Sequence, residues 1–362
     1  MRILLLGEFS GLHHHLAEGL RALGQMVTVA SDGCGWQQIP RDTDLSRRDD
    51  SLLQGVSYLA RILRLLPRWR GYDVVQLIHP SFLRLKAEHS LFIFDYLRKH
   101  NKKVFLGAFG ADYYYAKACT ETNLFRYSDF VTPYYNEPLP NAYVLGKAFS
   151  HANRHIASRV DGIVACLWEY YTAYHHYLPE KTCFIPLPIR TDALPARVRE
   201  KPEKLSVLIG IQSRKTKEKG TDKMLKAWSS LQEKYSDRVS LKVVQDVPQK
   251  EYLKLFDHCD VLVDQLYSYT PGMNALLAMS QGIVVVSGGE PENYEILGEL
   301  NLRPIINVSP DEKRMKEQFE WVITHPEFIP SLSAQSIAYV HKHHDYLQIA
   351  HKYLTYWRSQ SR

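Results

Sequence analysis

The sequence predicts an α/β protein of two doubly wound domains, and three observations carry that expectation. At 362 residues the chain is long enough for two domains that each bury a core. Short β-rich runs alternate with helical stretches, the pattern of parallel strands covered by helices. That alternation breaks off at 186–204 and then starts again. The break holds Pro186, Pro188, Pro195 and Pro202 among charges, the composition of a linker. Domains are therefore expected at 1–188 and 205–339, joined by 189–204.

In order, 1–6 reads as a strand, 7–11 as a loop, 12–23 as a helix stopped by Gly24, and 26–30 as the next strand. A helix over 51–66 precedes a strand at 73–78, a helix over 83–99 precedes 103–108, and a helix over 142–160 leads into 162–166. In the second half, 205–211 is a strand, a basic loop follows, and 220–235 is a helix. Strands at 239–244, 261–263 and 283–287 come next, and 333–357 is helical with His341, His343 and His344 on it.

Composition narrows the class. Charged residues are 23% and hydrophobic ones 45%, which excludes a largely disordered or fibrous chain. No apolar run approaches the ~18–20 residues of a membrane span, and residues 3–6 are too few for a signal-peptide core. The five cysteines are scattered, without a C-x-x-C pair, and fit free thiols in a reducing cytoplasm better than a disulfide framework or a zinc site. Lys plus Arg exceed Asp plus Glu by 45 to 39, and the resulting +6 suits an anionic partner without specifying one; no nucleic-acid partner is expected.

Ligands of doubly wound sheets sit beyond the carboxyl ends of strands, so the loops there carry the search. Gly7-Glu8-Phe9-Ser10-Gly11 lets backbone approach a ligand, with Gly11 opening a helix whose amides are free. It departs from the G-x-G-x-x-G fingerprint, which weighs against hydride transfer. His13, His14 and His15 follow; three consecutive helical residues point around the helix and cannot share one metal. Ser213-Arg214-Lys215-Thr216-Lys217-Glu218-Lys219-Gly220 places four cations in six residues after a strand, which suits a diphosphate: Arg offers a planar fork and Lys a point charge. At Thr270-Pro271-Gly272-Met273-Asn274, Thr270 reads as an N-cap and Pro271 as the first helical residue, leaving the amides of 272–274 for an anion. Ser287-Gly288-Gly289-Glu290-Pro291-Glu292 adds a close-approach loop with carboxylates.

Taken in order, these residues resemble glycosyltransferases of the GT-B fold, most nearly the retaining family 4 type, over almost the whole chain. Residues 1–31 look like the family's opening strand, glycine loop, helix and second strand, and Val160-Asp161-Gly162-Ile163-Val164-Ala165-Cys166 like the strand before its interdomain crossing. Arg214 followed by Lys219-Gly220 is similar to the Arg/Lys pair that grips the donor diphosphate. Cys259-Asp260-Val261-Leu262-Val263 and the run from Ala278-Met279-Ser280-Gln281-Gly282 into Ile283-Val284-Val285-Val286 resemble the strand and the helix-to-strand step of the donor site. The resemblance implies two Rossmann-like domains facing a central cleft, with a closing helix at 340–362 able to pack back on the first. It also implies sugar transfer from a nucleotide-diphosphate donor to a glycan or lipid-linked acceptor in surface glycan synthesis, with no metal or other cofactor. Arg214 and Lys219 would be catalytic; Gly11, Ser213, Thr270, Gly272, Met273, Asn274, Gly289, Glu290 and Glu292 would bind donor.

Two departures stand out. The family's two glutamates, seven residues apart, fall on Tyr269 and Leu277, which leaves Glu290, Glu292 and Asp264 as candidate replacements. The family's first-domain histidine falls on Phe109, which leaves Asp112 as the nearest polar group, either catalytic or a turn or N-cap aspartate. Tyr113, Tyr114 and Tyr115, with Phe125, Tyr127, Tyr134 and Tyr135, either stack on acceptor sugars in the first domain or pack a loop. Arg61, Arg64, Arg68 and Arg70 surround the 51–66 helix, which could touch anionic lipid at the inner face of the membrane or simply carry a solvated basic face. A binding protein that kept the fold without the chemistry, or a sugar-nucleotide epimerase, are the alternative functions.

Overall fold

The computed structural model describes residues 1–193 and 195–360, with only the backbone of Trp36. Leu194 of the expected linker and the last two residues of the expected 340–362 helix lie outside the described residues. The chain forms two compact units. The first holds Met1–Leu124, Pro140–Arg190 and the segment from Tyr346 on; the second holds Phe125–Leu139 and Thr191–Asp345.

The first unit is built on seven parallel strands, β1 (Arg2–Leu6), β2 (Met26–Ser31), β3 (Thr43–Asp44), β4 (Val74–Leu77), β5 (Lys103–Ala108), β6 (Gly162–Ala165) and β7 (Thr182–Phe184), in the order β3-β2-β1-β4-β5-β6-β7. Ile3 to Leu6 are fully buried, as an apolar run must be when helices cover both faces of a parallel sheet. The helices are α1 (Leu12–Ala22), α2 (Leu52–Leu65), α3 (Ala87–His100), α4 (Tyr113–Glu121), α5 (Lys147–Arg159) and α6 (Trp168–Tyr177). The order reverses between β1 and β4, so the loops after these strands flank the unit's switch point.

The second unit carries five parallel strands, β8 (Leu205–Ile211), β9 (Val239–Gln245), β10 (Val261–Val263), β11 (Val284–Ser287) and β12 (Ile306–Asn307), in the order β12-β11-β10-β8-β9. Val261 pairs in register with Val207 on one side and Val284 on the other. Its helices are α7 (Thr216–Lys219), α8 (Thr221–Lys234), α9 (Gln249–Lys254), α10 (Met273–Ser280), α11 (Pro291–Leu297), α12 (Glu312–Thr324) and α13 (Ile329–His343). Trp228 of α8 stacks on Phe319 of α12 at 4.7 Å within a core that continues through Val207, Val261 and Val284. The switch point lies between β8 and β10.

Several boundaries differ from expectation for physical reasons. The 142–160 helix breaks at Gly146, whose extended backbone separates a 3-10 turn at Ala142–Leu145 from α5. The helix expected over 333–357 starts earlier and is interrupted at His344; α14 (Tyr346–Ser359) resumes it in the first unit. There Trp357 is fully buried, and its carbonyl accepts from Lys103 Nζ of β5 at 2.7 Å. The segment Phe125–Leu139, read from sequence as part of the first domain, packs in the second unit. Its partners lie some 80 to 170 positions away, beyond the reach of any local pattern.

Candidate active site

The carboxyl edge of the second sheet brings three loops together at the switch point. After β8 the chain makes one 3-10 turn, Ser213–Lys215, then α7, and passes through Gly220 into α8. Gly220 has φ +66°, and a Cβ there would stand 2.7 Å from Cβ of Leu266. Glycine thus allows both the left-handed turn and the close approach of this loop to the one after β10. The two loops are joined where Leu266 N donates to the Lys219 carbonyl at 2.8 Å.

Lys219 Nζ stands 3.5 Å from Oδ1 of Asp264, the buried residue that follows β10. The same oxygen accepts from Asn274 Nδ2 at 3.0 Å, and Asn274 also reaches the Tyr252 hydroxyl at 3.3 Å. Lys219, Asp264, Asn274 and Tyr252 therefore form one connected polar cluster. Arg214 is exposed on the same loop and forms no ion pair among the described residues. Ser213 is exposed, and its hydroxyl donates to Asp246 and accepts from Gln245 Nε2 at 2.7 Å, fastening the loop to the end of β9.

Helix α10 begins at Met273, with Gly272 at the N-cap position and no side-chain cap. Thr270 is buried and is not the cap, because its carbonyl is held in a turn by the Ser268 hydroxyl and by Gln265 Nε2 at 3.5 Å. Pro271 accordingly precedes the helix. The amides of Met273 and Asn274 lie in the first helical turn, where no intrahelical carbonyl precedes them.

In the third loop Gly289 N donates to Asn307 Oδ1 at 2.8 Å. A Cβ at Gly288 would stand 2.0 Å from the Ser268 carbonyl, so this loop too is drawn against the one after β10. The carboxylates beyond it, expected to receive donor hydroxyls, are engaged by the segment Phe125–Leu139. Glu290 accepts from the Tyr127 hydroxyl at 2.7 Å and from Arg126 Nη2 at 3.0 Å. Arg126 also forms a two-pronged pair with Glu292. Its guanidinium lies 4.9 Å from the centre of the Tyr269 ring, on which Tyr127 stacks at 4.7 Å.

The Tyr269 hydroxyl accepts from the amides of Arg126 and Tyr127 at 2.6 and 3.2 Å. The tyrosine at the first glutamate position therefore anchors this segment. Burial and the Glu290 carboxylate push the Tyr127 phenol upward, so it stays a donor. Burial alone would raise the Glu292 carboxyl, but Arg126 outweighs it and holds it below its ordinary value. Farther along, Glu137 pairs with Lys217 at 2.7 Å and Tyr134 donates to Glu218, fixing the segment to α7. Sequence reasoning missed Arg126 and Tyr252. Neither carries a local signal, since each acquires its partner through the fold.

The first unit holds the remaining candidates. Gly11 caps α1 with φ +90°. Asp112 is fully buried at the N-cap of α4, where its carboxylate accepts from Tyr114 N at 3.0 Å, Tyr115 N at 3.1 Å and the Tyr174 hydroxyl. These contacts make Asp112 the N-cap of α4, the second of the two roles the sequence offers it. Burial outweighs those hydrogen bonds and raises its carboxyl to about 7. Glu8, buried after β1, accepts from His13 N at 3.1 Å and His14 N at 2.8 Å, and burial likewise raises it to about 7. His13 and His15 are packed and are lowered to about 4, chiefly by burial. Tyr114 and Tyr115 pack against Tyr174 and Tyr170, each at 5.0 Å, so they fill the unit and do not form a sugar platform. Among the described residues no group of three His, Cys, Asp or Glu is placed to hold a metal ion.

No protein-family description and no curated protein sequence matches the chain. Its fold is nevertheless shared with solved glycosyltransferases. Sucrose-phosphate synthase from Thermosynechococcus elongatus superimposes with a TM-score of 0.62 at 12% identity, over 99% of this chain and 98% of that one. WaaG, a glycosyltransferase involved in lipopolysaccharide biosynthesis, gives 0.62 at 14% identity over 99% and 100%. Anabaena HepE in complex with UDP gives 0.60 at 12% identity over 99% and 100%. The chain has the GT-B glycosyltransferase fold, two Rossmann-like α/β units.

Proposed function

We propose that this chain transfers a hexose-type sugar, with retention, from a nucleoside-diphosphate donor to a hydroxyl of a glycan or lipid-linked acceptor in the cytoplasm, in the synthesis of a surface polysaccharide. One observation carries the reading: the switch point of the second unit gathers Lys219, the exposed Arg214 and the first-turn amides of α10 around one edge of the sheet. Phosphate oxygens are met there by a point charge, a planar fork and backbone donors. Charge building on the departing diphosphate is what such groups stabilise, and they do so without calling on a metal. The HepE structures contain UDP and UDP-glucose, which supports a uridine nucleotide as the first donor to try.

The test is a thermal-shift and calorimetric panel of UDP, GDP, CMP and their sugar forms. A nucleotide at 100 times its dissociation constant stabilises by ~2.7 kcal/mol. Arg214→Ala and Lys219→Ala each remove a charged hydrogen bond worth ~1.5–3 kcal/mol, so affinity falls by roughly 10- to 100-fold. Unchanged affinity and turnover in both variants overturn the reading.

A second reading, a binding protein without transfer chemistry, draws on the pairing of Glu290 and Glu292 with Arg126 and Tyr127. Nucleotide binding with neither transfer nor hydrolysis of any donor selects it.

A further inference from the structure

Helix α2 buries one apolar face and exposes another. Tyr58 and Ile62 turn inward and are 3% and 0% exposed. Leu52, Val56, Leu59 and Leu63 recur at i, i+4, i+7 and i+11, which is one stripe of an α-helix. Leu52, Val56 and Leu63 are 82%, 63% and 43% exposed, and Leu53 beside them is 83% exposed. A solvated basic helix would carry charge on this face. Here the outward surface is itself apolar, and a contiguous exposed apolar patch is a mark of an interaction site.

The charge around the stripe indicates what covers it. Arg48, Arg64 and Arg68 are exposed and form no ion pair among the described residues. Arg64 follows Leu53 and Ala60 along the rim of the stripe at helical spacing. The local acids are occupied: Asp49 accepts from Ser51 N at 2.9 Å and Asp50 pairs with Arg84 at 2.6 Å. Arg61 belongs to the scaffold, donating to the Ser46 carbonyl and lying 5.3 Å from the Tyr58 ring. The surface therefore offers leucine and valine side chains edged by unpaired arginines. That combination complements acyl chains beneath a layer of anionic headgroups, with the arginine stems able to reach the phosphates. We propose that the outer face of α2, Leu52, Leu53, Val56 and Leu63 with Arg64 and Arg68, docks the protein on an anionic lipid bilayer.

The full-length protein is sedimented with vesicles of phosphatidylglycerol and phosphatidylcholine, and with vesicles of phosphatidylcholine alone. Binding is expected to the anionic vesicles only and to weaken as salt is added. Leu52→Ser with Leu53→Ser, and separately Arg64→Glu with Arg68→Glu, are expected to lower the partition by about tenfold or more. All four side chains are exposed, so both double variants keep their melting temperature, and UDP affinity reads the other unit independently. A wild-type protein that ignores anionic vesicles, binds neutral ones equally, or keeps its binding in both variants overturns the proposal. So does a lipid-free dimer that Leu52→Ser with Leu53→Ser dissolves, because the stripe would then belong to a second copy of the chain.

Discussion

Asp112 and the buried histidines of the first unit pull on stability in opposite directions. Burial raises the Asp112 carboxyl from 3.8 to about 7, so the folded state holds its proton more tightly than the unfolded chain does. Its contribution is fully present below pH 4 and is lost as pH rises through about 7. His13, His15 and His79 are lowered to about 4, so the unfolded chain gains their protons first and stability falls as pH drops below 6.5. Asp112→Asn keeps an acceptor for the α4 amides and removes the Asp112 titration, leaving Glu8, raised to about 7 as well, as the remaining acid of that balance. The variant is expected to gain on the wild type by a few kcal/mol between pH 4 and pH 7, measured by urea unfolding across that range. Asp112→Ala loses the cap, costing ~1–2 kcal/mol, and also leaves the Tyr174 hydroxyl without its acceptor. Equal pH profiles for the wild type and Asp112→Asn count against this assignment. Nucleotide affinity stays unchanged in both variants if the aspartate is scaffold.

The segment Phe125–Leu139 is held by a few named contacts, and their energies set its behaviour. Arg126 is half-exposed even while paired to Glu290 and Glu292, so each ion pair is screened and contributes only ~0.5–1 kcal/mol. Tyr127 stacked on Tyr269 supplies a further ~0.5–1.5 kcal/mol. Arg126→Ala is therefore expected to speed hydrogen exchange in 125–139 and in the loop 288–292, with little change in global melting. A large loss of global stability would instead make the segment part of the core. These contacts also show where sequence stops being informative. Ile3 to Leu6 and Val284 to Val286 read as buried parallel strands because their apolar runs are continuous. The turn at Gly220 was legible because the glycine serves a local left-handed step between a strand's loop and a helix. Arg126, Tyr252 and the anchoring role of Tyr269 were not, because each gains its meaning from a residue at least 22 positions away. Thr270 misled for the opposite reason: its local fit as a cap was good, but Ser268 and Gln265 had already claimed its carbonyl.

At the scale of the whole molecule, the chain returns to its first unit at the end. Trp357, Tyr353 and Ile349 of α14 are fully buried there, far in sequence from the strands they cover. The indole Nε1 of Trp357 lies 3.4 Å from Gln76 Oε1 on β4, and Lys103 of β5 holds the carbonyl of the same residue. Trp357→Ala therefore opens a cavity in one unit and leaves the loops after β8 and β10 of the other chemically intact. Removing a buried tryptophan costs ~3–5 kcal/mol, a large share of a domain's stability. Hydrogen exchange is expected to rise in β4, β5 and α14, while UDP still slows exchange in the loops after β8 and β10 with its affinity within about threefold, roughly 0.6 kcal/mol, of the wild type. Arg214→Ala gives the reverse pattern, with the first unit unchanged and UDP protection lost. If Trp357→Ala instead abolishes UDP protection at unchanged UDP concentration, the last helix supports the nucleotide site as well as the unit it packs in, and the division of labour between the two units fails.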